Sequence, residues 1–353
     1  MTPPGVLVFR IGQLGDTIVS MPAIAAIRES HPQVPLVLLT DRHPKEHGFT
    51  SSWDVLGPLG WFDEVIYYSA GRESIYEQTC VMVQTAYRLR QLHLELLYDL
   101  SPFRSNQQLQ RDNFFFRKIA GILEIRRPRP CCPPPCGQNA CLTPVEPEWS
   151  RLLSVVSDPP TNRFTIKIPE AARLEAMKTL RMAKIGEETC MIAIAPGSKM
   201  SSKRWPCERF EEIVKTLTTQ EPDLRIVLIG GSDDIELCDR ISSVDPCRVA
   251  NLAGRLSVLG TAGILEKCLA LLGNDSGVMH LAAILGKPCV ALFSARDYPG
   301  KWIPYGEGHI ILRRELDCSG CMLEECGERG NECLRKISTN DVLGALRTLD
   351  ILP

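Results

Sequence analysis

Residues 5–40 read GVLVFRIGQLGDTIVSMPAIAAIRESHPQVPLVLLT. GVLVF has the length and composition of a buried strand, VPLVLLT reads as a second, and PAIAAIRESHP between them has helical spacing. Strand, helix and strand in that order form a β-α-β unit, whose crossover calls for a parallel sheet. Between the first strand and the helix, Gly12-Gln13-Leu14-Gly15-Asp16 places a carboxylate where a helix N-terminus attracts anions. Aspartate before a helix is most often an N-cap. Pro22 argues otherwise: inside one continuous helix capped at Asp16 it would lose a hydrogen bond and clash with the Ile18 carbonyl, at a cost of about 3 kcal/mol. The sequence therefore predicts a helix beginning near Pro22, with Asp16 in a separate turn. Gly12 and Gly15 would hold that turn and aim Asp16 at the carboxyl-end edge of the sheet. A carboxylate so placed suits a general base acting on a hydroxyl.

The alternation continues outward from this unit. EVIYY and LELLYDL are strand candidates, with the helix-like SIYEQTCVMVQTAYRLRQL between them. From Arg126 to Pro147 the prolines of RRPRPCCPPPCGQNACLTPVEP exclude regular structure, and a domain boundary follows. MIAIAPGS, CERFEEIVKTLTTQ, RIVLIGG, DIELCDRISS and PCVALFSA then repeat the strand-helix rhythm, and STNDVLGALRTL closes it with a capping-box start from Ser338 to Asp341. A chain of 353 residues supports about two domains. The fold class is thus α/β. The expected divisions are residues 1–165, residues 166–335, and a C-terminal helix in 336–353 able to pack back on the N-terminal domain.

With 44% apolar residues and a net charge of −2, the composition supports a packed interior and argues against a nucleic-acid partner. The opening residues lack the basic and apolar regions of a signal peptide, and no apolar run approaches a membrane span, so a cytoplasmic location is expected. Of 15 cysteines, Cys80, Cys190, Cys207, Cys238, Cys247, Cys268 and Cys289 are scattered and read as small buried hydrophobes. Cys131, Cys132, Cys136 and Cys141 form one group that carries no assignment. Cys318, Cys321, Cys326 and Cys333 have Cys-x2-Cys-x4-Cys-x6-Cys spacing, which is compatible with a structural zinc or iron and equally with four free thiols in a loop.

Three further stretches carry chemistry. APGSKMSSKRWP (residues 195–206) combines turn formers, hydroxyls and the cations Lys199, Lys203 and Arg204, which would suit a diphosphate; a solvated basic loop is the bland alternative. It lacks the Walker A spacing. In LLGNDSGVMHLAAILGKP (residues 271–288), Asn274 and Asp275 end a strand, and the N–H groups of Ser276 and Gly277 open a helix, an anion site built from backbone. His280 falls one turn beyond Ser276 on the same face. After the diglycine of LIGGSDDIEL, the acids Asp233, Asp234 and Glu236 could accept ribose hydroxyls or serve as helix N-terminal charges. GQLGD does not supply the Gly-x-Gly-x-x-Gly of a Rossmann oxidoreductase.

Taken together, RIGQLGD, PGSKMSSKRWP and NDSGVMHLAAILGKPCVALF resemble, in order and spacing, the motifs of glycosyltransferase family 9, the ADP-heptose:lipopolysaccharide heptosyltransferases, over residues 5–40 and 190–335. The resemblance implies a GT-B fold, two Rossmann-like domains facing across a cleft, with the sugar nucleotide on the C-terminal domain and the acceptor on the N-terminal one. It implies inverting transfer with Asp16 as general base and no cofactor required for catalysis. Gly12 and Gly15 fall on the acceptor side. Ser198, Lys199, Lys203, Asp275, Ser276, Gly277 and His280 match positions around the donor, and Glu236 is the choice for the ribose. The segment from Arg104 to Arg129, whose bases are Arg104, Arg111, Arg117, Lys118, Arg126, Arg127 and Arg129 against only Asp112 and Glu124, would suit a phosphorylated, lipid-linked oligosaccharide at the inner membrane surface, or is simply a solvated face. The readings that compete are a GT-B transferase for another nucleotide sugar, a protein O-heptosyltransferase, and a non-catalytic nucleotide-sugar-binding protein.

Overall fold

The computed structural model describes residues 4–42, 50–69, 75–130, 132–135, 142–157, 159, 163–186 and 188–350. The chain divides into two compact units, one of Met1–Pro133 with Glu148–Phe164 and the other of Pro134–Pro147 with Thr165–Pro353. The proline-rich Pro134–Pro147, counted with the N-terminal half from sequence, belongs to the second unit. There the Val145 N–H donates to the Pro299 carbonyl at 2.9 Å. Such a segment has no periodicity to betray its partner, because its attachment is made by backbone.

The strands of the first unit are β1 (Gly5–Phe9), β2 (Leu36–Arg42), β3 (Glu64–Ser69), β4 (Leu94–Asp99) and β5 (Glu124–Arg126), and its helices are α1 (Leu14–Ser30), α2 (Ser52–Leu56), α3 (Ile75–Gln91), α4 (Asn106–Phe114) and α5 (Glu148–Leu153). All strand pairs are parallel, in the order β3-β2-β1-β4-β5. The winding reverses between β1 and β4. Leu7, Phe9, Val37, Leu39, Leu89 and Leu97 are among the residues of the core beneath the sheet.

Helix α1 corrects the sequence expectation. It runs unbroken through Pro22, starts at Leu14, and takes Gln13 as its N-cap, so Asp16 lies in its first turn and not in a separate one. Every residue from Thr17 to Ile27 is buried. Burying each large apolar side chain of that run is worth about 1.5–3 kcal/mol, which outweighs the roughly 3 kcal/mol that an interior proline costs.

The second unit contains β6 (Met191–Ala195), β7 (Arg225–Leu228), β8 (Val249–Asn251), β9 (Leu271–Asn274), β10 (Cys289–Phe293) and β11 (Ile310–Arg313), with α6 (Glu170–Met182), α7 (Cys207–Gln220), α8 (Ile235–Ser242), α9 (Val258–Lys267), α10 (Gly277–Ile284), α11 (Glu332–Arg335) and α12 (Thr339–Thr348). Its sheet is parallel in the order β11-β10-β9-β6-β7-β8, reversing between β6 and β9. The closing helix α12 has the capping box read from sequence, with Ser338 accepting from the Asp341 N–H at 3.1 Å. Val342 and Leu346 are buried in the second unit's core with Phe210, Ile213 and Leu217 of α7. Among the scattered cysteines Cys238, Cys268 and Cys289 are buried as expected, while Cys80, Cys190 and Cys207 are half-buried and Cys247 is exposed. Among the described residues no helix is long and apolar enough to cross a membrane.

Candidate functional site

In doubly wound sheets ligands bind outside the carboxyl ends of the strands, where the winding reverses. In the first unit that point follows β1 and β4. Gly12, at φ +122°, turns the chain there, and a Cβ on it would stand 2.8 Å from Asp16 Oδ2, so glycine is needed on both counts. The Gly12 N–H faces Asp41 Oδ1 at 3.3 Å, and the Gln13 N–H donates to Asp16 Oδ2 at 3.0 Å. Asp16 thus has the N-terminal capping role that its sequence context had argued against. Its other oxygen lies 3.7 Å from Arg10 Nη2, and its side chain keeps 26% of its surface open to solvent.

Arg10 was not singled out in the sequence. It is only 2% exposed, its Nη1 donates to the Leu100 carbonyl at the end of β4, and its buried Nε has no partner. Burial pulls its guanidinium below the ordinary arginine value, and Asp16, Glu148 and Asp41 oppose that pull. A buried cation is affordable only beside such carboxylates. Arg10 therefore ties the Asp16 turn to the end of β4.

In the second unit the reversal lies between the turns after β6 and β9, and it gathers most of the predicted donor residues. Asn274, fully buried, donates from Nδ2 to the Pro196 carbonyl at 2.6 Å and accepts the Trp205 N–H at 3.1 Å, fastening the two turns together. Ser198 Oγ donates to the Asp275 carbonyl at 3.2 Å. Lys203 Nζ lies 2.7 Å from Asp275 Oδ2, and His280 Nε2 lies 4.0 Å from Asp275 Oδ1. Ser276 is the N-cap of α10, and its Oγ is buried with no hydrogen-bond partner. Lys203 (held by Asp275), the Ser276 hydroxyl and the first N–H groups of α10, beginning at Gly277, are thus donors and a cation gathered at one corner, groups of the kind that can meet an anion. Lys199 and Glu236 stand exposed on their loop and on α8.

Two residues that the sequence reading named only within their clusters, Arg204 and Asp234, complete this edge. Arg204 Nε donates to the Ser198 carbonyl at 2.7 Å and fixes the loop. Asp234, among the acids after the diglycine, folds against Gly197, where a Cβ would come within 2.1 Å of its carboxylate. The Gly231 N–H holds that carboxylate at 3.0 Å, and desolvation raises its pKa against the pull of Gly231 and Arg204. Gly197→Ala is accordingly expected to lower stability by about 1–3 kcal/mol in urea unfolding. Adding Asp234→Ala should restore most of the loss, because it removes the group that the new methyl meets. Simple additivity of the two substitutions would contradict this packing.

The sequence left the second cysteine group open between a metal site and free thiols. Among the described residues no group of three or more His, Cys, Asp or Glu is arranged to hold a metal ion, and Cys318, Cys321, Cys326 and Cys333 are half-buried free thiols. Burial pushes the Cys318 and Cys333 thiols up. Hydrogen bonds organise the segment instead: Arg296 donates to the Met322 and Leu323 carbonyls, each at 2.8 Å, and the Ser202 N–H donates to the Glu324 carbonyl at 3.0 Å. These tie it to the Lys203 loop. Of the other group, Cys132 is exposed, and Cys131, Cys136 and Cys141 lie outside the described residues.

The model of glycosyltransferase family 9 (heptosyltransferase) matches residues 151–331, just over half of the chain. The chain belongs to glycosyltransferase family 9. Lipooligosaccharide heptosyltransferase 2 of Haemophilus influenzae is 28% identical over 163 residues, which cover 44% of this family 9 chain and 46% of that relative. The chain thus spans less than half the length of that curated relative. Two solved structures are alike over nearly the whole chain. A family 9 glycosyl transferase from Veillonella parvula has a TM-score of 0.75 at 20% identity, covering 99% of this chain and 97% of that one. The ADP-heptose lipopolysaccharide heptosyltransferase II of Escherichia coli has a TM-score of 0.69 at 19% identity, covering 98% of each. That likeness, with the two parallel doubly wound units, makes the fold of this family 9 member GT-B.

Proposed function

We propose that the protein is an inverting glycosyltransferase that moves heptose from ADP-heptose to a hydroxyl of a lipopolysaccharide-core or related lipid-linked acceptor, at the cytoplasmic face of the inner membrane. The observation that carries this reading is the corner formed by Lys203, the unpartnered Ser276 hydroxyl and the start of α10. It lies within the residues matched by the family model. The name of the Haemophilus relative and that of the E. coli structure supply the sugar and its carrier.

In this reading the acceptor oxygen attacks the anomeric carbon from the face opposite the diphosphate. The bond from that carbon to the phosphate oxygen breaks, and the configuration inverts. The acceptor proton passes to the Asp16 carboxylate, whose unit takes the acceptor. The departing ADP gains charge, which Lys203 and the α10 N–H groups neutralise, with Ser198, Gly277 and His280 shaping the turns around it. This reading gives that neutralisation to protein groups and not to a metal ion. The exposed Glu236 would meet a ribose hydroxyl only at the rim.

Thermal unfolding with a panel of nucleotide sugars tests the donor. ADP-heptose at a hundred times its Kd should stabilise the protein by about 2.7 kcal/mol, ADP should also protect, and UDP-sugars should not. Protection by a uridine nucleotide alone would overturn the donor assignment. Binding of ADP-heptose without transfer to a core oligosaccharide would favour a binding protein that has kept the fold.

A further inference from the structure

Helix α3 is apolar on two sides. Its inner side buries Ala86 and Leu89, as a helix covering a sheet must. Its outer side carries Tyr76, Cys80, Val83 and Tyr87 at i, i+4, i+7 and i+11, a single line along the helix. Tyr76, Val83 and Tyr87 are 77%, 61% and 65% exposed. Folding of the unit does not account for that line, because no part of it is buried in the core, and an exposed apolar patch of such side chains marks a contact surface.

The surface continues into cations. Arg90 prolongs the line at i+14 and donates from Nε to the Ile119 carbonyl at 2.6 Å and from Nη2 to the Lys118 carbonyl at 3.3 Å. Those carbonyls belong to the π-helical turn Phe115–Ala120 that extends α4. Arg117 and Lys118 of that turn are exposed, and Phe114 just before it is 61% exposed. Among the described residues Arg90, Arg117 and Lys118 have no carboxylate partner. The other bases of the Arg104–Arg129 segment are largely spent within the unit: Arg104 lies 3.6 Å from Asp112, Arg126 lies 2.6 Å from Glu124, and Arg127 lies 2.8 Å from Asp99.

We propose that this surface docks the protein on an anionic lipid bilayer, with α3 in the plane of the interface. Tyr76, Val83 and Tyr87 enter the boundary between headgroups and acyl chains, and Arg90, Arg117 and Lys118 meet lipid phosphates. Tyrosine suits that depth, with an apolar ring and a polar tip, and arginine and lysine lay their stems on apolar surface while keeping their charge at the headgroups. Charge favours lipid as the occupant: the patch of Arg90, Arg117 and Lys118 beside the apolar line lacks carboxylates among the described residues, and anionic headgroups supply the charge that it lacks. The inference gives the membrane contact of the proposed function a named surface, and it stands on observations that do not involve transfer.

Co-sedimentation of the full chain with phosphatidylcholine vesicles, and with vesicles of phosphatidylcholine and phosphatidylglycerol in equal parts, tests it. The protein should pellet with the mixed vesicles only. Tyr76→Ser/Val83→Ser/Tyr87→Ser should weaken that binding by about tenfold or more, as should Arg117→Glu/Lys118→Glu. Both variants change exposed side chains, so ADP-heptose should still raise their melting temperature as it does for the parent, whatever the vesicle result. Absence of vesicle binding, equal binding to neutral vesicles, or undiminished binding by both variants would overturn the proposal. So would a dimer of the parent chain, measured by light scattering, that the triple variant converts to monomer, since that would assign the stripe to a second copy.

Discussion

Asp16→Asn should reduce transfer by about 10²–10⁴-fold, the range that a general base contributes, while leaving donor affinity unchanged. Asparagine is the informative replacement because Asp16 has a structural role beside the proposed one. Its Oδ2 caps α1 through the Gln13 N–H, and an asparagine oxygen can accept that hydrogen bond without acting as a base. Alanine would remove the cap as well, at about 1 kcal/mol, and confuse lost chemistry with a loosened turn. Donor affinity should hold because Lys203, Asp275 and Ser276 belong to the other unit. The measurements are single-turnover transfer with saturating ADP-heptose and calorimetric titration of ADP. Transfer within a few fold of the parent rate would remove Asp16 as the base. A parallel fall in ADP affinity would mean that the substitution had disturbed more than the proton acceptor.

The place of Asp16 in the first turn of α1 shows where sequence reasoning reached and where it stopped. Alternating apolar runs and glycine turns were enough to place the strands of both sheets' centres, since buried parallel strands are written as uninterrupted apolar runs. The polar turns after β6 and β9 were legible too, because a strand end followed by Asn274-Asp275-Ser276-Gly277 puts polar groups at an edge whatever surrounds it. Pro22 misled because its local cost is visible in the sequence and the burial of Thr17–Ile27 that offsets it is not. Arg10 went unnoticed for a similar reason. An arginine after an apolar strand looks like the start of a solvated loop, and only the assembled sheet encloses it between Asp16 and the Leu100 carbonyl. Asp234 gained its place against Gly197 from the approach of two turns far apart in sequence. The cysteine spacing, conversely, was local and suggestive, but the hydrogen bonds that hold Met322, Leu323 and Glu324 to Arg296 and Ser202 come from residues distant in sequence and could not be read from it.

Lys203→Met should have the second-largest effect, and its pattern discriminates between holding the donor and promoting its departure. A hydrogen bond to a charged group contributes about 1.5–3 kcal/mol, so ADP affinity should fall roughly 10- to 150-fold. If Lys203 only held the ground state, KM would rise and kcat would stay. Charge on the departing diphosphate is greatest as the bond to the anomeric carbon breaks, so kcat should fall as well. The substitution also leaves Asp275, whose side chain is 9% exposed, without the cation 2.7 Å away, and removing one member of a largely buried pair costs stability. Lys203→Met/Asp275→Asn separates the two consequences. Neutralising the abandoned carboxylate should return much of the lost stability in urea unfolding, but it cannot return the missing cation, so transfer should remain low. Recovery of transfer in the double variant would mean that Lys203 serves only to neutralise Asp275, and the donor's charge would then have to be met by the α10 N-terminus alone.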